Sequence, residues 1–90
     1  MDVTHDERHT RFVIEHEGTL SMLQYRMADP HTIHFVRTWV APDFRGGGFG
    51  AWLVEAGLDY ARDQGFKVTS SCWFVDEFID RTPEYQDLQA

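Results

Sequence analysis

Arg45-Gly46-Gly47-Gly48-Phe49-Gly50 places four glycines within five residues, directly behind an arginine and shortly after Pro42. A helical pattern starts at once, with Phe49, Trp52, Leu53, Ala56 and Tyr60 at helical spacing. The N-terminus of a helix carries about four unpaired amide donors and roughly half a positive charge. Glycines before it let several N–H groups turn towards one anion, with no side chain in between. Arg45 adds a forked, permanently charged donor suited to phosphate. One or two glycines would serve a plain connection, and each further one costs about 0.5–1 kcal/mol in order lost on folding. The run therefore points to a bound pyrophosphate.

Two common phosphate loops do not fit. A nucleoside-triphosphate loop ends in Gly-Lys-Ser/Thr, whereas this chain continues Gly48-Phe49-Gly50-Ala51-Trp52. A dinucleotide fingerprint can be laid on Gly46, Gly48 and Ala51, but that motif follows the first strand of a parallel sheet and needs an acidic residue about 20 positions on. Here three strands come first, and positions 67 and 68 are Lys and Val.

The other reactive side chains are few. Cys72 is the single cysteine and follows a strand at the start of a helical pattern, where helix-end amides favour an anionic sulfur. A small buried apolar role is the alternative for a free cysteine. His31 and His34 have H-x-x-H spacing, but on a strand they face opposite ways, so no shared metal is expected. His34 would be a base only if its face lined a cleft. Tyr85 fits packing of the C-terminal tail better than a general acid. Trp39, Trp52 and Trp73 read mostly as core, with Trp73 a candidate wall for a site at Cys72.

The elements that must position these residues read as follows. Residues 1–10 are polar and loosely held. Arg11–His16 is a strand ending in a turn at Glu17-Gly18. A second strand follows in 19–27, with Leu23, Tyr25 and Met27 on one face, and Asp29-Pro30 breaks it. A third, central strand covers 32–40, with Ile33, Phe35 and Trp39 on one face. The helix runs from Phe49 to Gln64 and stops at Gly65. A short strand occupies 66–70, and a second helix starts from Ser70 or Ser71 as N-cap, with an apolar side of Phe74, Val75, Phe78 and Ile79. Pro83 stops it, and Tyr85 and Leu88 pin the tail. The order β-β-β-loop-α-β-α predicts an antiparallel meander joined to a parallel β-α-β unit, an α+β fold.

Ninety residues make one domain, spanning 11–90, with a modest core. A net charge of −7 argues against general nucleic-acid binding. No stretch reaches the ~20 apolar residues of a membrane span, and the acidic first residues do not resemble a signal peptide. One cysteine cannot form an internal disulfide, so a reducing cytoplasm is the default expectation.

The stretch V-x-P-x-x-R-G-x-G-x-G, with its helix in register from Val40 to Ala61, resembles the pyrophosphate-binding motif of the GNAT superfamily of N-acetyltransferases, which use acetyl-coenzyme A. The similarity narrows to the small single-domain GNAT-like family (YjdJ-type). It is carried by RFVIEHEG, the Tyr of the second strand, VRTWVAPDFRGGGFG, SCWFVDEFID and the closing PEYQDL, from about Arg11 to Leu88. The chain departs from that family's pattern at Arg37-Thr38, where His-Thr is usual, and at Thr69-Ser70-Ser71, where proline often precedes the cysteine.

The resemblance implies a GNAT-like fold in which the third strand and the strand after the helix splay apart. Backbone near Trp39, Val40 and Ala41 would pair with the pantetheine arm, and Arg45, Gly46, Gly47, Gly48, Phe49 and Gly50 would hold the pyrophosphate. Cys72 would be the cleft cysteine, an acyl carrier or a neighbour of the thioester. The implied activity is acetyl transfer from acetyl-coenzyme A to an amine, by a monomer or weak dimer. The alternative is a non-catalytic coenzyme A or acyl-coenzyme A binding module, because larger relatives grip the acceptor with strands that this length does not supply.

Overall fold

The computed structural model describes residues 2–90. Five strands form one sheet in sequence order: β1 (Thr4–Asp6), β2 (Arg11–His16), β3 (Thr19–Asp29), β4 (Thr32–Trp39) and β5 (Lys67–Ser70). The first four are antiparallel and β5 joins β4 in parallel. Helix α1 (Phe49–Gln64) is the crossover between β4 and β5, and α2 (Trp73–Asp80) follows β5. A 3-10 segment, Pro83–Leu88, closes the chain. The architecture is the expected α+β arrangement, with the antiparallel meander, the parallel unit and the α1 boundaries as read from the sequence.

Where loose chain was expected at the N-terminus, residues 4–6 pair with 11–13. Side-chain packing supplies the reason. The His5 ring stacks on Phe12 at 4.3 Å, meets Tyr60 edge-on at 4.4 Å, and its Nε2 lies 2.7 Å from the Tyr25 hydroxyl. Burial pushes the Tyr25 phenol up to about 12. A polar decapeptide gives no sign of this, because the anchoring residue is itself a histidine.

Tight turns set the register. Glu17 and Gly18 both have positive φ, 50° and 76°, the two-residue geometry that matches strand twist. Asp29 Oδ1 accepts the His31 N–H at 2.8 Å across the next turn. One sheet face, with Phe12, Ile14, Leu23, Tyr25, Ile33, Phe35 and Val68, is buried under both helices. Helix α1 presses closest at Gly57, where a methyl group would come within 2.9 Å of the Phe35 ring and 3.0 Å of Leu23. Its buried stripe is Phe49, Gly50, Leu53, Val54, Gly57, Leu58 and Ala61. That stripe is rotated from the expected one, and Trp52 stays 40% exposed. Two glycines at the contact carry no hydrophobic signal, so the sequence pattern misplaces its centre.

A bulge in β4 decides the geometry of the site. Tyr25 pairs with Phe35, but Gln24 pairs with Arg37, leaving Val36 as an extra residue. The alternation slips by one, so Thr38 rather than Arg37 or Trp39 follows Ile33 and Phe35 onto the covered face. This corrects the placement of Trp39, which is 41% exposed. Met27 is likewise exposed, because β3 outruns the core at that end.

Candidate functional site

Beyond Phe35↔Ser70 the two parallel strands part. The Ser71 N–H still reaches the Phe35 carbonyl at 3.0 Å, and there the chain turns into α2. Strand β4 continues to Trp39, paired on its other side with Met22 of β3. One edge of residues 36–40 therefore faces a gap. A cavity of about 450 Å³ opens there, lined by Thr38, Trp39, Val40, Phe44, Arg45, Gly46, Gly48, Phe49, Gly50, Ala51 and Phe74.

The glycine loop forms the mouth of this cavity. Pro42–Phe44 makes a 3-10 turn, its first hydrogen bond running from the Phe44 N–H to the Ala41 carbonyl at 2.9 Å. Gly46 and Gly48 then take φ of 85° and 92°, which a residue with a Cβ adopts only under strain. Gly48 is the N-cap of α1 and the Trp52 N–H makes the first helical bond, to the Gly48 carbonyl at 3.0 Å. Among the described residues, no acceptor takes the N–H groups of Gly46, Gly48, Phe49, Gly50 or Ala51. All five residues line the same cavity. Unpaired donors at a helix N-terminus suit a multiply charged anion.

Among the described residues, Arg45 is the one charged side chain in the lining. Its Nε donates to the Val40 carbonyl at 2.8 Å, which ties the side chain to the chain just past β4. Gly50 is needed for a different reason from Gly46 and Gly48. A Cβ there would sit 2.9 Å from the Phe74 ring, so Gly50 lets α2 close against α1 and form the cavity wall.

The expected site residues thus divide. Trp39, Val40, Arg45, Gly46, Gly48, Phe49 and Gly50 come together on one cavity. Gly47 and Ala41 do not line it. The Gly47 N–H is bonded to the Phe44 carbonyl at 3.3 Å. The Ala41 N–H donates to the buried Ser21 hydroxyl at 3.1 Å, so it is unavailable for strand-like pairing with a ligand. Cys72 is buried, with Sγ 3.5 Å from the Thr38 hydroxyl, one layer behind the lining. It is also the N-cap of α2, the position expected for Ser70 or Ser71. The Ser70 hydroxyl is occupied in accepting the Cys72 N–H at 3.0 Å.

Thr38, Phe44, Ala51 and Phe74 enter the lining without sequence warning. Thr38 depends on the bulge, and Phe74 on the missing Cβ of Gly50. Trp73 is 75% exposed and lies over a separate depression on α2 with Phe78 and Arg81, so it walls no site at Cys72. Tyr85 is buried and donates to Asp59 Oδ1 at 2.7 Å. Burial, reinforced by that bond, pushes its phenol well above the usual range, and the side chain pins the tail to α1 away from the cavity.

His34 has a defined setting. It stands on the face of β4 opposite the core, with Nδ1 2.7 Å from the Thr69 hydroxyl and Nε2 3.0 Å from the Ser71 hydroxyl. Ser71 also reaches the Val36 carbonyl at 3.3 Å, at the bulge where the strands part. His31 lies in the β3–β4 turn, away from this cluster.

Known proteins place the fold in context. The chain is similar to a GCN5-like N-acetyltransferase-type solution structure from Staphylococcus aureus, described as putative in its own name, with TM-score 0.77 and 27% identity over 99% of this chain and 87% of that one. It shares the fold alone with Ard1 from Thermoplasma volcanium, with TM-score 0.60, 22% identity, and coverage of 71% of this chain and 45% of that one. Protein NATD1 of Xenopus tropicalis is 26% identical over 97% of this chain and 82% of its own length. Human NATD1 is 26% identical over 97% and 79%. A family profile described as GCN5-related N-acetyl-transferase matches residues 11–88. With its split sheet and its glycine loop at the start of α1, the chain belongs to the GCN5-related N-acetyltransferase family.

Proposed function

We propose that the protein is an acetyl-coenzyme A-dependent N-acetyltransferase acting on an amine acceptor. The observation that carries this reading is the set of five unpartnered amides, Gly46, Gly48, Phe49, Gly50 and Ala51, on the wall of a cavity that continues into the gap beside β4. The diphosphate would take those amides and the Arg45 guanidinium. The pantetheine arm would lie along Trp39 and Val40 as an added strand, with the thioester near Thr38 and the foot of the split. There the protein's tasks are to orient the reactants, polarise the carbonyl with a main-chain N–H and accept a proton.

One feature favours the second reading, a non-catalytic coenzyme A-binding module. Among the described residues, no carboxylate, imidazole or thiol belongs to the cavity lining, whose single charged side chain is Arg45. Isothermal titration with acetyl-coenzyme A, followed by thiol release with a panel of primary amines and polyamines, separates the readings. Binding with transfer supports the enzyme, and binding without transfer or acylation supports the module. A lack of heat and of melting shift removes both, since a ligand at 100 times its Kd adds about 2.7 kcal/mol of stability.

A further inference from the structure

We infer that the depression on the outer flank of α2 holds the adenine base and the ribose phosphate of the coenzyme. The inference rests on the acetyl-coenzyme A reading above and assigns a surface to the part of that molecule that lies outside the cavity. The depression measures about 380 Å³ and is lined by Trp73, Phe74, Glu77, Phe78, Arg81 and Thr82. Its size falls within the range of ligand pockets, about 300–1,000 Å³.

Position supplies the first argument. With the diphosphate on the free amides of the glycine loop and the pantetheine arm directed into the gap beside β4, the nucleoside must leave at the mouth. Phe74 belongs to both linings, so a single ring separates the cavity from the depression. That ring abuts Gly50, one of the residues with a free amide, so closely that a Cβ there would lie 2.9 Å from it. A nucleoside joined to a diphosphate at Gly50 reaches the depression by passing over Phe74. Trp52 is also exposed beside the loop, 3.9 Å from where a Gly48 Cβ would stand, but it lines neither the cavity nor the depression.

Chemistry supplies the second. Trp73 is 75% exposed, a large apolar surface left in water. Phe74 and Phe78 stand one helical turn apart beside it, both half-buried. Flat aromatic surface of this kind stacks on a purine. Arg81 is the one cation in residues 71–90, on a helix that otherwise carries Asp76, Glu77 and Asp80. Its Nη2 donates to Glu77 Oε1 at 2.6 Å, which ties the guanidinium along the helix. Its remaining N–H donors are left for a phosphate. An aromatic floor with one guanidinium at its edge matches a base that carries a phosphate on its ribose.

The test compares three ligands that share the thioester end: acetyl-coenzyme A, its 3′-dephospho form, and S-acetyl-phosphopantetheine, which lacks the nucleoside. Each is titrated calorimetrically into the parent protein and into Trp73→Ala, Arg81→Gln and Trp52→Ala. Trp73 and the Arg81 side chain are 75% and 77% exposed, so the unliganded variants should melt with the parent. Trp73→Ala should weaken acetyl-coenzyme A about tenfold and leave S-acetyl-phosphopantetheine unchanged. Removal of the 3′-phosphate should weaken binding to the parent about fivefold, and that difference should vanish in Arg81→Gln. Trp52→Ala should bind all three as the parent does. Trp73→Ala binding acetyl-coenzyme A as the parent does, or weakening the full and the truncated ligand alike, overturns the inference. So does an intact 3′-phosphate difference in Arg81→Gln, or a loss confined to Trp52→Ala. Failure of all three ligands to bind the parent overturns the underlying functional reading and the inference with it.

Discussion

Two glycines of α1 meet an aromatic ring at the same distance, and substituting each by alanine should have opposite consequences. At Gly57 the added methyl would lie 2.9 Å and 3.0 Å from Phe35 and 3.0 Å from Leu23. Both neighbours are fully buried in the sheet face and have no space to retreat into. Overpacking of this kind costs about 1–3 kcal/mol, and better helix propensity returns at most about 1 kcal/mol. Gly57→Ala should therefore lose about 1–2 kcal/mol, a fall in Tm of roughly 5–15 °C for a domain this size. At Gly50 the added methyl would lie 2.9 Å from Phe74. That ring is only half-buried and borders the cavity, so it can move outward into it. Gly50→Ala should hold its Tm within about 4 °C while weakening coenzyme A binding. Differential scanning fluorimetry with and without coenzyme A reads both effects. A Gly57→Ala protein as stable as the parent would refute the close-packed contact between α1 and the sheet. Unchanged coenzyme binding in Gly50→Ala would refute the assignment of Phe74 to the cavity wall.

Three further outcomes follow from the same geometry. Arg45→Ala should raise the Kd for coenzyme A about tenfold, and the loss should shrink at high salt, because the guanidinium acts as an exposed phosphate donor; titration calorimetry at two ionic strengths checks this. Tyr85→Phe should cost about 1 kcal/mol through loss of the 2.7 Å bond to Asp59, with coenzyme binding unchanged, as read by denaturant unfolding and calorimetry. The docking of β1 should weaken in acid. Burial holds the His5 pKa below its ordinary 6.5, outweighing the upward pull of Glu7 and Asp6. The unfolded segment thus binds a proton more readily than the folded one, so this contribution is whole above about pH 6.5 and is lost as pH falls through the lowered native value. Amide exchange at Thr4–Asp6 should accelerate over that window, and His5→Phe should remove the pH dependence.

Much of the scaffold follows from local rules. The α1 boundaries are set by Gly48 before it and Gly65 after it, both with positive φ. The run from Arg45 to Gly50 announces an anion-binding loop because glycine is expensive wherever its freedom is unused. The meander is read from alternating strands joined by short turns, and the pinned tail from Tyr85 and Leu88, which are buried as expected.

Other features depend on contacts between residues far apart in the chain, and composition carries no trace of them. The bulge at Val36 moves Thr38 onto the covered face and Trp39 off it. The buried Ser21 hydroxyl takes the Ala41 amide out of the open edge. Gly50 and Gly57 prove to be packing positions only once the rings opposite them are in place. His34 on β4 and Thr69 on β5 are separated in sequence by the crossover helix, and parallel pairing brings their side chains within hydrogen-bond distance, with Ser71 just past the end of β5. The residue types and turns determined which strands and helices form and where an anion can sit. Tertiary packing, through one extra residue in one strand, decided which side chains face the split.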